Sequence, residues 1–198
     1  HGGYGTDITR LPDFEWADAV HLHRVNQAML SLDGLERLVC RCQETGKRLI
    51  WTLHDIWPAT GICHLPQRCT RWESGCGCCP KLKCNVLTRL LPLCGRSDND
   101  ISKRIFQRKQ QIYRQGHITF VACSRYLADM VRRSPLMKGQ TVTDIANPID
   151  TCFFSPCSTP GEKEALRSTL SLPTGKTILL FVAYNVNDAN KGFGTFAQ

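Results

Sequence analysis

Apolar positions along this chain keep two rhythms in turn. "ADAVHLHRV" (17–25) alternates and then turns apolar, as a buried strand does, and "KRLIWTLHDIW" (47–57) repeats the pattern. Between them, "AMLSLDGLERLVCRCQETGK" carries Leu and Val at helical spacing and closes on Gly-Lys, which makes a strand–helix–strand unit. A stretch rich in Gly, Pro and Cys follows and predicts irregular structure. "SDNDISKRIFQRKQQIYRQG" (97–116) then reads as a helix, with Asp98 or Asp100 near its N-cap, Gly116 as its stop, and Ile101, Ile105 and Ile112 on its buried face. "HITFVACS" is a third strand, "SRYLADMVRRSP" a helix capped by Ser124, and "QTVTDIANPID" a fourth strand running into an Asn-Pro turn. Strands alternating with helices predict an α/β fold with a doubly wound parallel sheet.

Past Asp150 the texture changes. "TCFFSPCSTPGE" has no periodicity, a short helix "EKEALRSTLSL" follows, and "KTILLFVAY" (176–184) reads as a new buried strand. The pattern therefore predicts one domain over 1–146, with a Cys-rich insertion at about 61–95, and the opening of a second α/β unit over 147–198. The chain starts without Met and stops at "KGFGTFAQ", which reads as an internal piece of a longer protein. Its longest apolar run has strand length, too short to span a bilayer as a helix.

The formal charge of +8 favours anionic partners such as nucleotide phosphates, anionic lipid surfaces or nucleic acid. Lys103, Arg104, Arg108, Lys109 and Arg114 crowd one predicted helix, either as a solvated face or as a face that docks on an anionic membrane. Two apparent phosphate motifs fail. "GKT" at 175–177 has Leu170 where a phosphate loop needs Gly, and "GFG" at 192–194 lacks its third glycine. Lys191, in a predicted loop after "TILLFVAY", is better placed to meet a phosphate.

His21 and His23 are two residues apart on a predicted strand and share a face. His54 and Asp55 end the neighbouring strand, so His23 and His54 are expected to approach one another where ligands collect in open α/β sheets. Of the twelve cysteines, seven fall between Cys63 and Cys94. Cys63, Cys69, Cys76 and Cys79 form a C-x5-C-x6-C-x2-C series that suits tetrahedral zinc, while Cys78, Cys84 and Cys94 leave disulfides or unlinked thiols open.

"WTLHDIWPATGICH", "GCGCCPKL", "SRYLADM" and "NKGF" occur in an order that resembles the bacterial family-4 glycosyltransferases of surface-polysaccharide assembly, the colanic-acid and exopolysaccharide type. The resemblance implies a GT-B fold of two Rossmann-like domains and retaining transfer of a sugar from a nucleotide-sugar donor to a saccharide or lipid-linked acceptor. No catalytic metal or other cofactor is implied, and no nucleic acid. By the same resemblance His23, His54 and Asp55 match cleft positions, and Lys191 matches a contact to the donor diphosphate. The cysteine loop matches at Cys63, Cys69, Cys76 and Cys79, as a structural insertion whose zinc remains one option. Such enzymes work in the cytoplasm, peripheral to the inner face of the membrane. Arg24, Pro148 and Asn190 depart from the family's pattern. The glycine-rich loop and an acidic Glu-x7-Glu region would lie outside 1–198, so this stretch alone is expected to be inactive. The rival readings are a zinc-stabilised nucleic-acid-binding module and a non-catalytic glycosyltransferase relic.

Overall fold

The computed structural model describes residues 5, 7–26, 29–82 and 100–198. Cys84, Cys94 and Asp98 lie outside them. Two compact units divide the chain, His1–Pro148 and Ile149–Gln198.

The first unit is a Rossmann-like α/β layer. A 3-10 turn and the short helix α1 (Pro12–Trp16) lead into β1 (Ala19–His23), followed by α2 (Leu32–Thr45), β2 (Arg48–Leu53), α3 (Ile101–Tyr113), β3 (Thr119–Ala122), α4 (Arg125–Arg132) and β4 (Thr141–Asp144). All pairings are parallel, in the order β1-β2-β3-β4. The reversal of strand order that would make the sheet doubly wound is not among the described strands.

Helix ends follow their sequence signals. Ser31 caps α2 by accepting the Gly34 N–H at 2.9 Å, and Gly46 ends it at φ 68°, where a Cβ would be strained. Asp100 caps α3 through the Ser102 N–H at 2.8 Å, and Ser124 caps α4 through the Leu127 N–H at 3.2 Å. Leu35, Leu38, Val39 and Cys42 form the buried stripe of α2, which packs against α3.

One face of the sheet is covered and the other is not. Leu22, Trp51 and Phe120 lie side by side in register and are buried, with Tyr113 of α3 against the Trp51 and Phe120 rings. On the opposite face, His21, Ile50 and Thr119, then His23, Thr52 and Val121, are only half-buried or exposed. The strands are thus covered on one side, where the apolar runs predicted burial on both.

The expected buried face of α3 is corrected too. Its buried residues are Ser102, Phe106, Lys109, Ile112 and Tyr113, whereas Ile101 is exposed. Lys109 is no surface cation. Its ammonium donates to the carbonyls of Trp57 (2.7 Å), Thr60 (2.9 Å) and Gly61 (3.3 Å) and lies 3.3 Å from the centre of the Trp57 ring. Arg108 is tied up by Glu36 and Asp33, so two of the five expected cations are engaged by other parts of the first unit. Gly61 passes so close to the Ser102 carbonyl that any Cβ there would collide.

In the second unit, α5 (Pro160–Thr169) is capped by Thr159, with Glu162 reaching back to the Ser158 N–H at 2.7 Å. A 3-10 turn at Ala189–Lys191 and the short α6 (Phe193–Phe196) end the chain, and Phe181 touches the rings of Phe193 and Phe196. Residues 176–184 form no strand, contrary to the sequence expectation: no described strand hydrogen-bonds to them, and Leu179, Leu180, Val182 and Tyr184 are exposed. Among the described residues, no helix is long and apolar enough to cross a membrane.

Candidate functional site

The chemistry gathers where β1 and β2 end. The parallel register sets His21 beside Ile50 and His23 beside Thr52, so both imidazoles stand on the uncovered face of the sheet with their rings 4.3 Å apart. His21 Nε2 meets Thr52 Oγ1 at 2.8 Å. Burial, with the neighbouring His23 adding to it, pulls the His21 imidazole below its ordinary pKa.

His23 Nδ1 lies 3.0 Å from His54 Nε2. A hydrogen bond between them requires one nitrogen to carry the proton and the other to accept it. His23 Nε2 and His54 Nδ1 then remain to meet a ligand hydroxyl. The two histidines expected to converge are therefore in contact. Arg24, directly after His23, sits at φ 42°, a left-handed conformation that a side chain adopts at a cost and that clusters at ligand sites.

Asp55 points its carboxylate elsewhere. Its Oδ1 accepts the Trp57 N–H at 2.8 Å, and its Oδ2 lies 2.7 Å from His64 Nδ1. Asn26 Nδ2 is 3.0 Å from the same nitrogen, and the His64 carbonyl accepts the Ile56 N–H. Arg24, Asn26, His54, Asp55 and Trp57 share a shallow recess. Asp55 thus orients His64, a residue for which the sequence held no role. Its one signal was its place at the end of "GICH".

Lys109 ties this recess to the cysteine loop. Its ammonium grips the turn at 57–61 from beneath and lies within electrostatic reach of Asp55, Cys63 and Cys76. Burial draws its pKa well below the ordinary value of 10.5, while the three carbonyls favour keeping the proton.

The four candidate zinc ligands share one loop. Burial pushes the Cys63 and Cys76 thiols above their ordinary pKa. Lys191 belongs to the second unit. It is exposed in the turn that Asp188 caps through the Asn190 N–H at 2.9 Å, just before Gly192 at φ 76°.

No family model matches the chain, and no solved structure matches it. Over 116 residues it is 28% identical to an Escherichia coli K12 protein named as a colanic acid biosynthesis glycosyl transferase, WcaC. The match takes in 56% of this chain and 26% of that protein, so the chain spans about a quarter of the length of the relative it matches. This relates the chain to a glycosyl transferase.

Proposed function

We propose that the full-length protein is a retaining glycosyltransferase of the GT-B type. It moves a sugar from a nucleotide-sugar donor to a saccharide or lipid-linked acceptor in surface-polysaccharide synthesis, at the cytoplasmic face of the membrane. The observation that carries the reading is the His23–His54 contact at the carboxyl ends of two parallel strands, beside the Asp55–His64 pair. The 116-residue likeness to a glycosyl transferase supports it.

In the transfer, the bond between the sugar's anomeric carbon and the diphosphate oxygen breaks. A bond to the acceptor oxygen forms on the same face, and the acceptor hydroxyl's proton passes to the departing diphosphate. The His23 and His54 nitrogens not used in their mutual contact suit hydrogen bonding to sugar hydroxyls. Asp55 acts through His64 and Trp57, holding the rim of the recess in place. Lys191 offsets the negative charge that grows on the departing diphosphate, an interaction strongest in the transition state.

The test is thermal stabilisation of the full-length protein by a panel of nucleotide sugars, followed by a transfer assay with the donor that responds. One donor should raise the melting temperature, by an amount worth about 2.7 kcal/mol at a hundredfold excess over Kd. Lys191→Ala should abolish that response, and His23→Ala should lower kcat/KM on the order of 10²–10⁴-fold while leaving the fold intact. Silence across the panel, with salt-sensitive stabilisation by nucleic acid instead, would overturn the reading.

A further inference from the structure

The turn that follows β2 lies inside the first unit, where a surface connection would leave its carbonyls to water. Pro58, Ala59, Thr60 and Gly61 are buried, so their carbonyls need partners from the protein itself. Each of the five carbonyls from Trp57 to Gly61 is taken by a buried side chain from far along the chain. The Lys109 ammonium donates to Trp57, Thr60 and Gly61 at 2.7, 2.9 and 3.3 Å. The Tyr113 hydroxyl donates to Pro58 at 3.0 Å, and the Ser134 hydroxyl to Ala59 at 2.7 Å. All three donors are buried.

These partners fit one another closely. Three carbonyls match the three N–H bonds of an ammonium, and the Trp57 ring offers it a π-face 3.3 Å away. Gly61 lies against the Ser102 carbonyl, so Ser102, Lys109 and Tyr113 of α3 all bear on the turn.

What the turn carries is the rim of the recess. At one end, the Trp57 N–H fixes Asp55 Oδ1 at 2.8 Å. At the other, the Thr60 hydroxyl donates to the Cys63 carbonyl at 2.8 Å and accepts the Cys63 N–H at 3.0 Å, one residue before His64. The two ends close on each other through the Ile56 N–H to the His64 carbonyl at 3.3 Å, and through the Asp55–His64 pair at 2.7 Å. Hydrogen bonds thus run without a break from Lys109 to both members of that pair.

Stability alone is a weak reason for such an arrangement. Desolvating an ammonium costs free energy that an apolar side chain beneath a solvent-facing turn would not. The gain is fixed geometry, since a shift of about 1 Å at a reacting site can cost on the order of 10²-fold in rate.

We propose that Lys109, Tyr113 and Ser134 are positioning residues that hold the 57–61 turn and, through it, set the Asp55–His64 pair for sugar transfer, a role that rests on the transferase reading. Two measurements on the full-length protein test it. The first needs no substrate. A carboxylate only accepts, so Asp55 holds neutral His64 with its proton on Nδ1, and ring nitrogen chemical shifts, assigned with His64→Gln, read that tautomer. Lys109→Met, Tyr113→Phe and Ser134→Ala should each move the ring toward the Nε2-protonated form, Lys109→Met the most. Val39→Ala, a defect in the buried stripe of α2, should not. The second measurement is transfer with the donor that stabilises the protein. Lys109→Met should lower kcat/KM about 10²-fold, the two hydroxyl variants less, and Val39→Ala little. If Lys109→Met fails to fold, Tyr113→Phe and Ser134→Ala, which each remove a single oxygen, carry the test. Ring shifts or kcat/KM unchanged in the folded variants, or moved as far by Val39→Ala, would overturn the proposal. Absence of transfer by the unmutated protein, with the ring shifts moved as expected, would overturn the transferase reading and leave the positioning of the pair standing.

Discussion

Residues 48–53 and 177–182 read almost alike, each a run of β-branched, aliphatic and aromatic residues behind a basic one. The first is the central strand β2, with Leu49, Trp51 and Leu53 buried and hydrogen-bonded neighbours on both sides. The second lies open, its Leu180 80% exposed. Composition makes a segment able to be a strand. Partners on either side and a helical layer above make it one, since a lone extended segment leaves its N–H and C=O groups unpaired and its side chains wet. The largest expected effect tests this contrast. Trp51→Ala should cost about 3–5 kcal/mol of first-unit stability, and Leu180→Ala no more than about 0.5 kcal/mol. Urea unfolding followed by circular dichroism measures both, and comparable costs would mean that 177–182 is packed in solution after all.

Next in size is Lys109. Lys109→Met keeps most of the buried stem but strips the donor from three carbonyls, and should destabilise the first unit by about 2–3 kcal/mol. The lowered pKa adds a pH signature. Between its folded value and 10.5, the unfolded chain binds the proton more readily than the folded one, so stability rises with pH across that window. Lys109→Met should flatten that rise. A rise that persists in the variant would assign it to another group.

These contrasts also show what the sequence could carry. Helix ends were legible because caps are local: Asp100 and Ser124 act on N–H groups two or three residues away. The parallel order followed from alternating elements. The inward face of α3 followed only in part: Ile112 is buried as its spacing suggests, but Ile101 is exposed, and Phe106 and Lys109 take the places beside Ile112. Lys109 can be buried only because a turn some fifty residues earlier offers it three carbonyls, which no local pattern reveals. The candidate site divides in the same way. His23 and His54 could be paired from strand periodicity, whereas His64 comes from an irregular loop whose path no periodicity encodes.

Caps sharpen the comparison at the level of about 1 kcal/mol. Asp100→Ala should cost roughly that much, because α3 is packed and its loss of a cap is felt by the whole first unit. Thr159→Ala removes an equivalent cap from α5, which buries no residue. There the helix should fray, lowering the helical signal with no shift in the first unit's unfolding midpoint. A shared shift in both variants would mean that the two units unfold together.

The smallest effect concerns protons. His21 has its folded pKa lowered from 6.5, chiefly by burial and further by the charge of His23. Just below pH 6.5 the unfolded chain therefore binds more protons than the folded one, and first-unit stability should fall as the pH drops through the folded value. The second unit contains no histidine, so nothing of this kind should mark its unfolding there. His21→Gln, which retains a hydrogen-bonding group for Thr52, should soften the acid dependence of the first unit and leave its neutral-pH stability nearly unchanged. Melting temperatures of both proteins across this interval decide the matter: parallel curves would mean that the acid sensitivity does not come from His21, leaving it a bystander at the edge of the sheet.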